Sequence, residues 1–194
     1  THVKLLASGQ QEAIKIPSGK RLTPVALVEH AVAATRDWKY QAVSMGYPGL
    51  VGPHGPHAEA MNLGSGWVGF DFAAAFGKPV KIINDAAMQA VGSYAGGRML
   101  FVGLGTGLGS TLITNNVVIP LELGELPYEG EERLGLLVGR RGLKRIGKAR
   151  WREIVCAMLA AFMRAFVVDY LVLGGGNAKL LKDLPHGVRL GHNH

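Results

Sequence analysis

Short apolar runs alternate along this chain with segments of helical period. Thr1–Ala7 reads as the tail of a strand that began upstream, and Glu12–Ile16 predicts a second strand after a turn over Ser8–Gln11. Thr23 followed by Pro24 marks a helix start, with Val25, Leu27, Val28 and Val32 as its apolar face, reaching to about Asp37. Ala42–Met45 and Val80–Ile83 predict buried strands; the first runs into Gly46-Tyr47-Pro48-Gly49 and the second into Asn84-Asp85. Gly52–Pro56 reads as irregular, Phe70–Phe76 as a short helix and Ala86–Tyr94 as a longer one. Met99–Val102 and Ser110–Thr114 predict a hairpin, followed by the strand Val117–Ile119. A helix over Trp151–Val167 then precedes the strand Tyr170–Leu173, which ends in Gly174-Gly175-Gly176-Asn177 and opens another helix. Strands alternating with helices predict an α/β protein. Gly96-Gly97 is the expected hinge, dividing lobes 1–96 and 97–194.

Composition narrows the class. With 48% hydrophobic and 18% charged residues, the 194-residue chain is of globular type. Its single cysteine, Cys156, rules out a disulfide within the chain and fits a reducing, cytoplasmic setting. The longest apolar stretch, Ile154–Leu173, is interrupted by Arg164 and Asp169, so a core helix followed by a strand is expected and no membrane span. The net charge of +7 points to anionic partners. Between Arg140 and Arg152, seven of the 21 basic residues occupy thirteen positions with no acid among them. Arg140, Arg141, Lys144, Arg145 and Lys148 therefore form either a polyanion groove or a solvated helix face. Nucleic acid is not the expected partner.

The candidate chemistry sits at strand ends. Gly103, Gly105, Gly107 and Gly109 fall at every second position around Thr106, a spacing that exposes N–H groups to an anion or makes a plain Gly-rich hairpin. Asp85 follows an apolar strand and precedes a helix, where a carboxylate serves as a proton acceptor or as a helix cap. Gly174–Asn177 repeats the strand-to-helix geometry that meets phosphate or a nucleoside. Glu122 and Glu125 offer acceptors for sugar hydroxyls, or line a solvated loop. Asn62-Leu63-Gly64 with Trp67 reads as a carbohydrate-facing loop, the alternative being a buried tryptophan. Zinc is not expected, because Cys156 stands alone and His30, His54 and His57 lack ligand spacing.

In order along the chain, Gly46-Tyr47-Pro48-Gly49, Asn62-Leu63-Gly64 to Trp67, Asn84-Asp85-Ala86, Gly103–Gly109, Glu122-Leu123-Gly124 and Leu173–Asn177 resemble the ROK family of sugar kinases. Val80–Tyr94 and Leu121–Leu126 are most similar to its polyphosphate glucokinase-like branch. The resemblance implies a two-lobed actin/hexokinase-like (ribonuclease H-like) ATPase fold, here N- and C-terminally incomplete. Lobe 1–96 would bind sugar and lobe 97–194 the phosphate donor.

By that resemblance, Asp85 is the general base that deprotonates the 6-hydroxyl of glucose or a related hexose. Asn62, Gly64, Asn84, Asp85, Glu122 and Glu125 hold the sugar. Thr1, Lys4, Gly103, Gly105, Thr106, Gly107 and Gly174, Gly175, Gly176, Asn177 meet the donor, polyphosphate or ATP, with Mg²⁺ as cofactor and a possible homodimer as assembly. The alternative is a catalytically silent sugar- or polyanion-binding relative. The chain departs from the family in three places: its first phosphate loop is represented only by Thr1, Glu125 stands where a histidine is usual, and the Cys-rich zinc motif is absent. Glu131 or Glu132 is the candidate for the family's second sugar-binding glutamate.

Overall fold

The computed structural model describes residues 2–128 and 132–191, in two compact units, Thr1–Asp85 and Ala86–His194. In the first, β1 (His2–Leu5) pairs antiparallel with β2 (Ile14–Pro17). Helix α1 (Pro24–Ala34) begins where Thr23-Pro24 predicts, and the Thr23 hydroxyl accepts the Ala26 N–H at 3.3 Å. That satisfies one of the N–H groups every helix start leaves open. Its buried face differs from the expected one. Pro24, Leu27, Val28 and Ala31 are inside, whereas Val25 and Val32 are 52% and 42% exposed. Leu27 and Val28 fit both stripes; packing with Leu22, Tyr47, Trp67 and Phe72 turns the Pro24–Ala31 edge inward.

Strand β3 (Val43–Tyr47) follows, and the expected irregular stretch contains a small hairpin, β4 (Val51–Gly52) with β5 (Gly55–Pro56). Helix α2 (Phe72–Phe76) is capped by Asp71, whose carboxylate accepts the Ala74 N–H at 2.9 Å, and ends at Gly77 with φ 60°. Strand β6 (Val80–Asn84) runs parallel to β3, with Tyr47 opposite Asn84.

Helix α3 (Asp85–Ser93) leads into β7 (Arg98–Leu104), β8 (Leu108–Thr114) and β9 (Val117–Leu121). Helices α4 (Leu134–Val138), α5 (Arg140–Ile146) and α6 (Lys148–Ala165) precede β10 (Tyr170–Gly174) and β11 (Val188–Leu190). Helix α4 and strand β11 have no counterpart in the sequence expectations, and α5 is anticipated only as the helix-face alternative for the basic run. The sheet order is β11-β10-β7-β8-β9, antiparallel across β7-β8-β9 and parallel across β7-β10-β11. Alternation along β7 feeds two cores. Leu100, Val102 and Leu104 meet Trp151, Val155 and Leu159 of α6, while Met99 and Phe101 meet Ala86 and Ala90 of α3.

The α3 contacts explain why the units divide after Asp85, which leaves Gly96 and Gly97 inside the second. Those glycines are tied down. The Tyr170 hydroxyl donates to the Gly96 carbonyl (3.0 Å), Tyr94 donates to that of Gly97 (2.8 Å), and Asp169 accepts the Arg98 N–H (2.7 Å). Among the described residues no helix is long and apolar enough to cross a membrane.

Candidate active site

Because β3 and β6 are parallel, their C-terminal ends lie at one edge, the place where α/β sheets expose functional groups. Tyr47-Pro48-Gly49 leaves one strand there and Asn84-Asp85 leaves the other. Asn84 joins the two, its side-chain N–H donating to the Gly49 carbonyl at 3.0 Å. Asp85 is the first residue of α3, where a carboxylate is favoured by the helix dipole. The Tyr47 hydroxyl donates to the Ala58 carbonyl (3.0 Å) and accepts the Ala60 N–H (2.8 Å), pinning the start of the Asn62 loop to this strand end. Burial pushes its phenol above the ordinary range.

Further along that loop, the Gly64 N–H donates to the Leu22 carbonyl at 2.9 Å, and a Cβ on Gly64 would lie 2.9 Å from the same oxygen. Only glycine fits that approach. Asn62 itself is exposed. Trp67 is not a carbohydrate-facing ring. It is buried between Tyr47 and Phe72, with ring centroids 5.5 and 6.0 Å away, and belongs to the core.

In the second unit the predicted glycine loop is tighter than its spacing indicates. Gly103 and Gly109 are strand residues paired across β7 and β8, leaving Gly105-Thr106-Gly107 as the turn. Gly109 is needed for packing, since a Cβ there would lie 2.9 Å from that of Ala86. The Gly105 N–H closes the turn on the Gly107 carbonyl at 3.0 Å, and Thr106 is exposed at the tip. The turn is braced from two sides. The Gly105 carbonyl accepts the Arg140 N–H (3.0 Å) and the Asn177 side-chain N–H (3.1 Å).

Gly174–Asn177 therefore meets the glycine turn at the shared C-terminal edge of the parallel strands β7 and β10. It does not open an α-helix. The Asn177 N–H goes to the Leu104 carbonyl (3.0 Å), and only a 3₁₀ turn, Ala178–Leu180, follows.

Glu122 and Glu125 flank a 3₁₀ turn over Leu123–Glu125. Ser110 fixes its entry, donating its hydroxyl to the Leu121 carbonyl (2.9 Å) and accepting the Leu123 N–H (3.1 Å). Glu125 pairs with Arg133 at 2.8 Å. Glu132 is held by Arg145 at 2.6 Å, so its carboxyl lies below the usual range through hydrogen bonding first and charge second. The basic run is thus partly neutralised from outside itself. Arg145 is on Glu132, Arg150 on Glu153 (3.0 Å), and Arg152 donates to the Leu180 carbonyl (2.7 Å). Arg140, Arg141, Lys144 and Lys148 are exposed and outside the ion pairs found among the described residues.

Lys4 is exposed on β1 opposite Lys15. Thr1 and Glu131 lie outside the described residues. Among the described residues no group of three or more His, Cys, Asp or Glu is arranged to hold a metal. Sequence reasoning gave no role to Glu59, Ser110 or Arg133.

No family model matches the chain. It is 28% identical over 182 residues to the polyphosphate glucokinase of Mycobacterium tuberculosis, covering 85% of this chain and 68% of that protein. Its fold is similar to that of the inorganic polyphosphate/ATP-glucomannokinase from Arthrobacter sp. strain KM. There the TM-score is 0.72 at 23% identity, covering 93% of this chain and 82% of the other. The ROK family glucokinase from Streptomyces griseus, solved in complex with glucose and AMPPNP, gives a TM-score of 0.63 at 19% identity over 93% and 86% of the two chains. By sequence the chain is thus similar to the polyphosphate glucokinases, and by fold to solved ROK family kinases.

Proposed function

We propose that this chain is a hexose kinase that transfers a terminal phosphoryl group from polyphosphate or ATP to the 6-hydroxyl of glucose or a related hexose. The observation that carries the reading is Asn84-Asp85 at the shared edge of β3 and β6, with Asn84 fixed to Gly49. Asp85 accepts the hydroxyl proton as the sugar oxygen bonds to phosphorus and the bond to the departing phosphate oxygen breaks. Asn62, Gly64, Asn84, Glu122 and Glu125 hold sugar hydroxyls. Gly103, Gly105, Thr106 and Gly107 receive the donor phosphates, and Gly174–Asn177 faces a nucleoside or its equivalent. Lobe 1–96 supplies the sugar side and lobe 97–194 the donor side.

Mg²⁺ typically keeps several waters and takes its other ligands from substrate phosphates and one or two carboxylates. When bound with the donor it neutralises phosphate charge. Arg140, Arg141, Lys144 and Lys148 extend the donor side toward a long polyanion, with Arg145 taken by Glu132. One relative is named for polyphosphate and one similar structure for both polyphosphate and ATP, which supports keeping the two donors together. A cytoplasmic setting fits the single cysteine, and a homodimer follows from the family resemblance alone.

The test is a coupled assay for hexose 6-phosphate with Mg²⁺, run in parallel with ATP and with polyphosphate. Product with either donor supports the kinase. No product with either, in a protein that glucose still stabilises against heat, contradicts it in favour of a silent binder.

A further inference from the structure

Glu59 lies just ahead of the Asn62 loop, and its carboxylate closes that loop on itself. Oε1 accepts the N–H groups of Gly66 (3.1 Å), Trp67 (3.1 Å) and Val68 (3.3 Å), and Oε2 accepts Trp67 again at 3.2 Å. Three successive N–H groups converging on one point make an anion nest, and Gly66, at φ 94°, shapes it. Here the chain supplies its own anion. Charge-assisted bonds of this kind are about twice as strong as neutral ones.

The loop has two further anchors: the Tyr47 hydroxyl at Ala58 and Ala60, and the Leu22 carbonyl at Gly64. Between them Met61, 95% exposed, and Asn62 project outward without core packing of their own. Ala60 and Leu63 on either side pack against the aromatic cluster, while Asn62 itself has no core contact, so its placement rests on those neighbours together with the polar anchors at either end of the loop.

We propose that Glu59 is a positioning residue for hexose binding, setting Asn62-Leu63-Gly64 through the nest at 66–68. The proposal rests on the reading of that loop as the sugar site. Glu59→Ala is expected to raise the glucose KM, and the glucose Kd by calorimetry, by about tenfold or more, since small misplacements of binding groups are costly. The kcat at saturating glucose and the donor KM stay within about threefold. Glu59→Gln keeps an oxygen for the N–H groups and loses the charge, so it falls between wild type and Glu59→Ala; it also serves if the alanine variant does not fold.

Folded variants with wild-type glucose affinity overturn the proposal while leaving the hexose reading intact. Equal weakening toward glucose and donor, following a drop in Tm, also overturns it, because that is a purely structural effect. A wild-type protein that binds no hexose by calorimetry overturns the hexose reading itself and the proposal with it.

Discussion

Asn177 donates its side-chain N–H to the carbonyl of Gly105 at 3.1 Å, across a sequence separation of 72 residues. With its backbone N–H on Leu104, one asparagine fixes both the glycine turn of β7-β8 and the turn after β10. Removing it leaves the Gly105 carbonyl with the Arg140 N–H alone.

Asn177→Ala is expected to cost about 1 kcal/mol of stability, the usual net worth of one such bond. If the turn meets the donor, the donor KM rises about fivefold or more while glucose affinity stays put. Denaturant melts and initial rates at varied donor check this. An unchanged donor KM separates the turn from the donor.

Gly139 packs against backbone. A Cβ there would lie 2.9 Å from the Gly107 Cα and 2.6 Å from the Gly135 carbonyl, and closer still to that of Thr106. None of these can swing aside as a flexible side chain does. Gly139→Ala is therefore expected to destabilise by about 1–3 kcal/mol, or to displace the turn. Urea unfolding checks it, and a loss under about 0.5 kcal/mol contradicts the packing argument.

For the basic run, replacing Arg140, Arg141, Lys144 and Lys148 together by Gln is expected to raise the KM for polyphosphate about tenfold or more, with a smaller effect on ATP. The polyphosphate KM of the wild type should also rise with salt more steeply than the ATP value. Equal effects on both donors demote these four residues to a solvated face.

The Arg145–Glu132 pair has a pH signature. Arg145 holds the Glu132 carboxyl below its usual range, first by hydrogen bonding and then by charge. A depressed carboxyl stabilises the fold above its unfolded value and loses that contribution as pH falls through the folded one. The stability advantage of wild type over Arg145→Gln is thus present at neutral pH and shrinks below about pH 4.3. Thermal melts across that range read it; an advantage that grows toward acid contradicts the pairing.

Local signals made much of the fold legible. Thr23-Pro24 marks the start of α1, and the Gly-flanked apolar runs mark β7, β8 and β10, because caps and strand alternation act over a few residues. What escaped depends on distant neighbours. Val25 and Val32 satisfy helical spacing as well as Pro24 and Ala31 do, and only the aromatic cluster decides between the faces. Gly174–Asn177 spells a helix start, yet the Leu104 carbonyl captures the Asn177 N–H.

At the candidate site, Asn84-Asp85, the glycine turn and Asn177 were visible as motifs, while the contacts between them and their neighbours were not. Arg145 is a bare cation in the sequence, and its partner Glu132 lies 13 residues away. Glu59 has no motif at all, because its partners are backbone N–H groups. Trp67 suits a sugar-facing loop by composition, and only burial against Tyr47 and Phe72 returns it to the core.

The central claim, that Asp85 is the base for hexose phosphorylation, is tested most directly by Asp85→Asn. Turnover with the better donor is measured beside glucose affinity by calorimetry. The account predicts a fall in kcat of about a hundredfold or more, with glucose Kd within about threefold of wild type, because only the transition state needs the base. Turnover equal to wild type in a folded Asp85→Asn protein contradicts it.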